Sequence, residues 1–316
     1  MIELLVIFAG LVGLAIGADY AVEAARKMAA RLGVSEILVG LTITSIGTSL
    51  PEISTNIMSG LSTLGGEDAS GIAVGNIIGS DLSQITLLLG ITGAIATLTM
   101  PKKSLKRDGL MLFIAILVMY ATAIDGYVSR GEGMILVATY LVYLTFIITQ
   151  EKITLKQGGK RDKARHGIAI ELAKILVGLL LVVYCANVIV DTGVALATRW
   201  GVSAAIIGLF VGLGTSVPEL SVAVRAIQKK AGQLSLGNLI GSNITDPLLS
   251  FGLGASIAGV HVSDVVLRFD FPFWAASTAI ALLLLYNHLD LNRKEASVLI
   301  IVFALFMYIR LTFFAA

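Results

Sequence analysis

The chain has 316 residues, of which 56% are hydrophobic and 14% charged, with a mean hydropathy of +0.90. Soluble domains carry roughly 45–50% apolar and about 25% charged residues, so this composition excludes an ordinary water-soluble protein and indicates an integral membrane protein in a lipid bilayer. The formal net charge of +2 is too small to define a polyelectrolyte surface, and the single cysteine, Cys185, excludes an intramolecular disulfide framework.

Cutting the sequence at charged and Gly/Pro/Asn-rich breaks leaves apolar spans near 2–25, 35–60, 70–98, 108–124, 132–149, 167–197, 202–227, 233–259, 269–287 and 294–314. Most reach the roughly 17–25 residues that a crossing helix needs, which predicts ten transmembrane helices in an all-α fold. The first is not read as a cleaved signal peptide, because Glu3 rather than Lys or Arg flanks a run too long for an h-region. Basic residues test the count. The loops after helices 1, 3, 5, 7 and 9 hold eighteen Lys and Arg, whereas the opposite side holds four, Arg130, Arg199, Arg268 and Arg310. Such a bias orients a multi-pass protein of the cell (plasma or inner) membrane with both termini outside and the basic loops in the cytoplasm.

The longest polar interruption, 151–166, carries six of those basic residues and is read as a solvated cytoplasmic linker, not as a nucleic-acid or lipid-headgroup patch. It divides the chain into a first five-helix repeat, 1–150, and a second, 167–316. Gly47-Thr48-Ser49-Leu50-Pro51-Glu52 returns 167 residues later as Gly214-Thr215-Ser216-Val217-Pro218-Glu219, and Gly75-Asn76-Ile77-Ile78-Gly79-Ser80 returns as Gly237-Asn238-Leu239-Ile240-Gly241-Ser242. An odd number of helices per half makes the second enter from the opposite face, so the repeats are inverted and corresponding residues surround the bilayer midplane.

Ionisable residues inside a membrane are functional by default. Pro51 and Pro218 lack a backbone N–H, so each is expected to free the carbonyl four residues back, at Gly47 and Gly214, and to break its helix at the midplane. Freed carbonyls, the hydroxyls of Thr48, Ser49, Thr215 and Ser216, and the carboxylates of Glu52 and Glu219 make an all-oxygen donor set. That set suits Ca²⁺, which takes about 6–8 oxygens at roughly 2.3–2.6 Å, and not zinc or copper. Ser80 with Gln84, and Ser242 with Asp246, are four apart and share helix faces, adding a third carboxylate. Asp81 has a neutral counterpart, Asn243, and is placed at the cavity edge or in a polar pair between helices. Asp19, Glu23, Glu171 and Asp191 lie near the ends of the first helix of each half, where interfacial solvation accounts for them. His166, His261 and His288 have no metal-ligand spacing.

These paired motifs resemble the two alpha-repeats of the sodium/calcium exchanger family, and the resemblance covers essentially the whole chain. It implies that Glu52, Glu219 and Asp246 are acidic ligands of transported Ca²⁺ and Na⁺. Thr48, Ser49, Thr215, Ser216, Ser80, Ser242 and Gln84 would supply further oxygens, and the carbonyls of Ser45 and Gly212 would face the outer ion positions. It further implies antiport by alternating access, in which helices 1 and 6 slide against the rest. Two departures stand out: Gln84 replaces the Asn common in prokaryotic relatives and the Asp of potassium-dependent ones, and the second repeat is one residue shorter before Gly214. A proton-coupled Ca²⁺/cation exchanger of the same superfamily is the first alternative; its motif typically reads Gly-Asn-x-Pro-Glu. A passive cation channel or a non-transporting membrane scaffold is the alternative of another class. No nucleophile–base pair or cofactor motif points to an enzyme, no resident cofactor is implied, and no nucleic acid or obligatory protein partner is expected.

Overall fold

The computed structural model describes residues 2–151, 161–200 and 213–314, so Gly212 and most of residues 202–227's first half lie outside the described residues. The chain is overwhelmingly helical. In order, the helices are α1 (Ile2–Leu32), α2 (Glu36–Val39), α3 (Ser45–Thr48), α4 (Leu50–Leu64), α5 (Ser70–Leu82), α6 (Leu89–Ile95), α7 (Lys102–Ala123), α8 (Arg130–Gln150), α9 (Arg161–Arg199), α10 (Val217–Gln228), α11 (Gly232–Thr245), α12 (Phe251–Ala258), α13 (Phe271–His288) and α14 (Arg293–Phe313). Among the described residues four π-helical segments interrupt them: π1 (Gly40–Thr44), π2 (Ser83–Leu88), π3 (Asp246–Ser250) and π4 (Val266–Asp270). Two short antiparallel pairings, Leu98 with Leu291 and Tyr127 with His261, tie helix ends together.

Among the described residues six helical stretches are long and apolar enough to cross a membrane, or seven if the bent pair Glu36–Thr48 and Leu50–Leu64 is one span. The helices also run past the apolar stretches seen in the sequence. Arg26, Lys27 and Arg31 ride on the last turns of α1, Lys102 to Arg107 form the first turns of α7, and α9 begins inside the predicted linker.

The chain forms two compact units, each drawn from both halves of the sequence: Met1–Pro51 with Thr145–Gly241, and Glu52–Leu144 with Ser242–Ala316. In the first, α1 and α9 pack along their lengths through Leu14, Ala18, Ala21, Val22, Ile175, Leu179 and Val182. Lipid offers no hydrophobic contrast between such helices, so close approach of small residues supplies the contact. A Cβ at Gly178 would stand 2.7 Å from the Gly17 carbonyl and 2.8 Å from the Ala21 nitrogen. Gly178→Val is therefore expected to cost about 1–3 kcal/mol by overpacking, read as a lower melting temperature of the detergent-purified protein. An unchanged melting temperature would mean that this crossing is loose.

One acidic residue of this unit departs from the interfacial reading. Glu171 is 3% exposed and faces Arg31 at 3.2 Å and Lys174 at 3.8 Å, so α1 and α9 are joined by a buried carboxylate. Asp19 pairs with Lys229 at 2.8 Å and with Arg225, linking α1 to the end of α10.

Candidate ion-binding site

Both glutamates of the repeated motif start helices. α3 ends at Thr48 and α4 begins at Leu50, bent by 48° from the preceding stretch, which puts Glu52 in the first turn of α4. Glu219 occupies the first turn of α10, following Val217 and Pro218 as Glu52 follows Leu50 and Pro51. The chain thus accommodates each proline by ending one helix and opening another, where a missing N–H removes no helical bond. A helix N-terminus also carries a partial positive charge that favours an adjacent carboxylate. Glu52 and Glu219 are both fully buried.

In the first unit, Ser45, Thr48 and Ser49 are fully buried at the end of the broken helix, and Ser216 is 1% exposed. Thr215 is half-buried. The Thr48 hydroxyl lies within donor reach of the Ser45 carbonyl at 3.2 Å and of Asn238 Oδ1 at 3.3 Å, which leaves its lone pairs free to accept a cation. Ser45 Oγ donates to the Thr42 carbonyl at 3.1 Å. Ser49 Oγ is buried with no hydrogen-bond partner among the described residues. Such an oxygen suits cation ligation, because a buried polar atom otherwise needs a partner. The glycines of the second Gly-Asn-x-x-Gly-Ser motif bring α11 against this broken helix: a Cβ at Gly237 would be 2.5 Å from the Ile37 carbonyl, and one at Gly241 would be 2.7 Å from Ser45 Cβ. Glycine there is a matter of space.

In the second unit, Glu52, Ser80, Asp81, Gln84, Ser242, Asn243 and Asp246 are all fully buried. The Glu52 backbone is pinned by two amides: Asn56 Nδ2 donates to its carbonyl at 2.9 Å and Asn76 Nδ2 at 3.3 Å, while Asn56 also donates to Ser250 Oγ at 3.0 Å. Ser80 Oγ donates to the Ile77 carbonyl at 3.2 Å, and the Ser80 carbonyl accepts from Ser83 Oγ at 2.8 Å. Ser242 Oγ has no hydrogen-bond partner among the described residues. Gln84 lies in π2 and Asp246 opens π3, so both polar positions sit where the helical ladder is already locally rearranged. Single π turns of this kind favour functional sites.

Gln84 behaves differently from the expected oxygen ligand. Its Nε2 donates to Asp246 Oδ2 at 3.2 Å, and its Oε1 accepts from Asn243 Nδ2 at 2.9 Å. An amide nitrogen is no cation ligand, so in this arrangement Gln84 faces Asp246 as a donor. Asn56, Asn76, Asn238, Asn243 and Ser250 were not among the residues picked from the sequence. Asn76 and Asn238 carry a signal after all, as the second residue of each repeated Gly-Asn motif, and Asn56 follows Glu52 at helical spacing. Asn243 and Ser250 carry none. Among the described residues no three His, Cys, Asp or Glu side chains are grouped for a metal ion. A hard cation held in either unit would therefore draw on hydroxyl and carbonyl oxygens beside no more than two grouped carboxylates of the described residues.

The sodium/calcium exchanger protein family matches the chain over residues 2–149 and 170–312. The chain belongs to that family. Exchanger relatives follow it along nearly its whole length: the sodium/calcium exchanger MaX1 of Methanosarcina acetivorans is 27% identical, with 98% of each chain covered. The uncharacterized membrane protein MJ0091 of Methanocaldococcus jannaschii is 32% identical over 75% of this chain and 76% of its own. The solved sodium-calcium exchanger NCX_Mj, soaked with 10 mM Na⁺ and zero Ca²⁺, matches with a TM-score of 0.84 at 26% identity, covering 97% of this chain and 98% of that one. The same exchanger soaked with 2.5 mM Na⁺ and 10 mM Sr²⁺ also matches with a TM-score of 0.84. The chain is thus a multi-pass membrane protein of a family of exchangers.

Proposed function

We propose that this protein is a secondary-active antiporter that exchanges Na⁺ for Ca²⁺ across the cell membrane by alternating access. The observation that carries the reading is the pair of buried, helix-starting glutamates, Glu52 and Glu219, each preceded by hydroxyls in a duplicated motif. Full-length likeness to MaX1 and NCX_Mj, which are named sodium/calcium exchangers, supports the ion pair.

In this reading ten transmembrane helices form two inverted five-helix repeats, 1–150 and 167–316, joined by the basic cytoplasmic linker 151–166, with both termini outside. Glu52, Glu219 and Asp246 are the acidic ligands. Thr48, Ser49, Thr215, Ser216, Ser80 and Ser242 contribute hydroxyls, and Ser45 and Gly212 contribute carbonyls. Na⁺ and Ca²⁺ compete for overlapping oxygens, because a ligand shifts a conformational equilibrium only through its differential affinity for the two states. No resident cofactor and no protein partner take part.

The test is whether Ca²⁺ movement requires a counter-ion. Proteoliposomes loaded with Na⁺ are expected to take up Ca²⁺, and vesicles loaded with choline are not. Equal Ca²⁺ entry into both would identify a passive pathway and end the antiporter reading.

A further inference from the structure

We infer that Asn243 is a positioning residue that sets the ion selectivity of the site by fixing which end of the Gln84 amide meets Asp246. The inference rests on the exchange reading and deepens it. Asn243 lies in the last turn of α11 and Asp246 three residues on, so both present to the same face, and Gln84 reaches them from π2. All three side chains are fully buried. The three polar groups form a directed chain: Asn243 Nδ2 donates to Gln84 Oε1 at 2.9 Å, and Gln84 Nε2 donates to Asp246 Oδ2 at 3.2 Å.

The direction has a chemical consequence. An ionised carboxylate only accepts, so Gln84 must turn its NH₂ toward Asp246; its one carbonyl oxygen then points the other way and needs a donor. Asn243 is that donor. Held so, Gln84 places a partial positive charge beside Asp246, where a carbonyl oxygen would have helped to bind a monovalent cation. Without the Asn243 amide, Gln84 can rotate and offer its oxygen to a cation at Asp246. Asn243 therefore acts through Gln84 and touches no ion itself. Its sequence position, opposite Asp81 in the first repeat, gave no hint of this role.

A double-mutant cycle tests the inference with purified full-length protein. Asn243→Ala is expected to lower the half-saturating Na⁺ concentration by about two- to tenfold, the worth of one neutral hydrogen bond, and to let K⁺ compete, with the maximal rate changed less. In a Gln84→Ala background the same substitution is expected to have no such effect, because the group it positions is gone. A residue that merely supports the helix would shift both backgrounds alike. Asn243→Leu, of similar size, uncharged and unable to donate, is expected to reproduce the shift and replaces Asn243→Ala if that variant does not fold.

Unchanged Na⁺ and K⁺ responses, or equal shifts in both backgrounds, would overturn the inference. Wild-type protein without Na⁺-dependent Ca²⁺ flux would instead refute the exchange reading. The same cycle is then read from melting-temperature titrations with Na⁺, K⁺ and Ca²⁺, in which cycle coupling supports the positioning role and its absence refutes it.

Discussion

Glu52→Gln, Glu219→Gln and Asp246→Asn are each expected to abolish Ca²⁺ exchange or reduce it by orders of magnitude, with the folded state retained. Each substitution keeps the size of a fully buried side chain and removes its charge. A divalent cation and a carboxylate in contact attract strongly in a low-dielectric interior, and desolvation cancels only part of that attraction. Removing one partner of a buried charge pair typically costs about 3–5 kcal/mol, which is roughly 10²- to 10⁴-fold in binding. Ca²⁺ uptake into vesicles gives the activity, and thermal unfolding in detergent shows that the variants fold. Near-normal flux in a folded variant would remove that residue from the site.

Gln84→Asp is expected to change which ions the protein carries. The substitution replaces an amide donor, now 3.2 Å from Asp246 Oδ2, with a second carboxylate. Two carboxylates sharing a buried site do not both stay ionised unless a cation or a proton joins them. Na⁺-driven Ca²⁺ uptake should therefore fall at neutral pH in Na⁺ alone. It should recover when K⁺ is added or when the pH is lowered, a dependence not expected of the wild-type protein. Uptake that is indifferent to both K⁺ and pH would mean that position 84 does not face the ions.

Much of this arrangement is legible in the sequence because its causes are local and repeated. Prolines two residues into each glutamate helix mark the breaks at Leu50 and Val217, and duplication pairs Thr48–Ser49 with Thr215–Ser216. Burial of Ser80, Gln84, Ser242 and Asp246 follows from their spacing on one helix face. Other features depend on neighbours far along the chain and leave no local trace. The donor direction of Gln84 is demanded by Asp246 and held by Asn243, 162 and 159 positions away. Glu171 looked interfacial because it lies near the end of its helix, yet Arg31 of α1 lets it stay buried. In π1 a hydroxyl side chain competes for backbone carbonyls: Thr44 Oγ1 reaches both the Val39 and Gly40 carbonyls, at 3.2 and 2.9 Å. A threonine in an apolar helix is too common to announce that by itself. Helix ends were also misplaced at α1 and α7, because basic residues that close an apolar span are good helix formers and prolong the helix into the aqueous phase.

Whether Na⁺ drives Ca²⁺ movement is read most directly from Ca²⁺ uptake into proteoliposomes with one imposed gradient at a time. The hydroxyls of Thr48, Ser49 and Ser216 are neutral oxygens buried in the protein, suited to a small alkali ion. An outward Na⁺ gradient is therefore predicted to drive uptake with the pH gradient collapsed and K⁺ absent, while outward H⁺ or K⁺ gradients alone drive none. Uptake that follows the pH gradient and ignores Na⁺ would contradict the account and assign the protein to proton-coupled exchange.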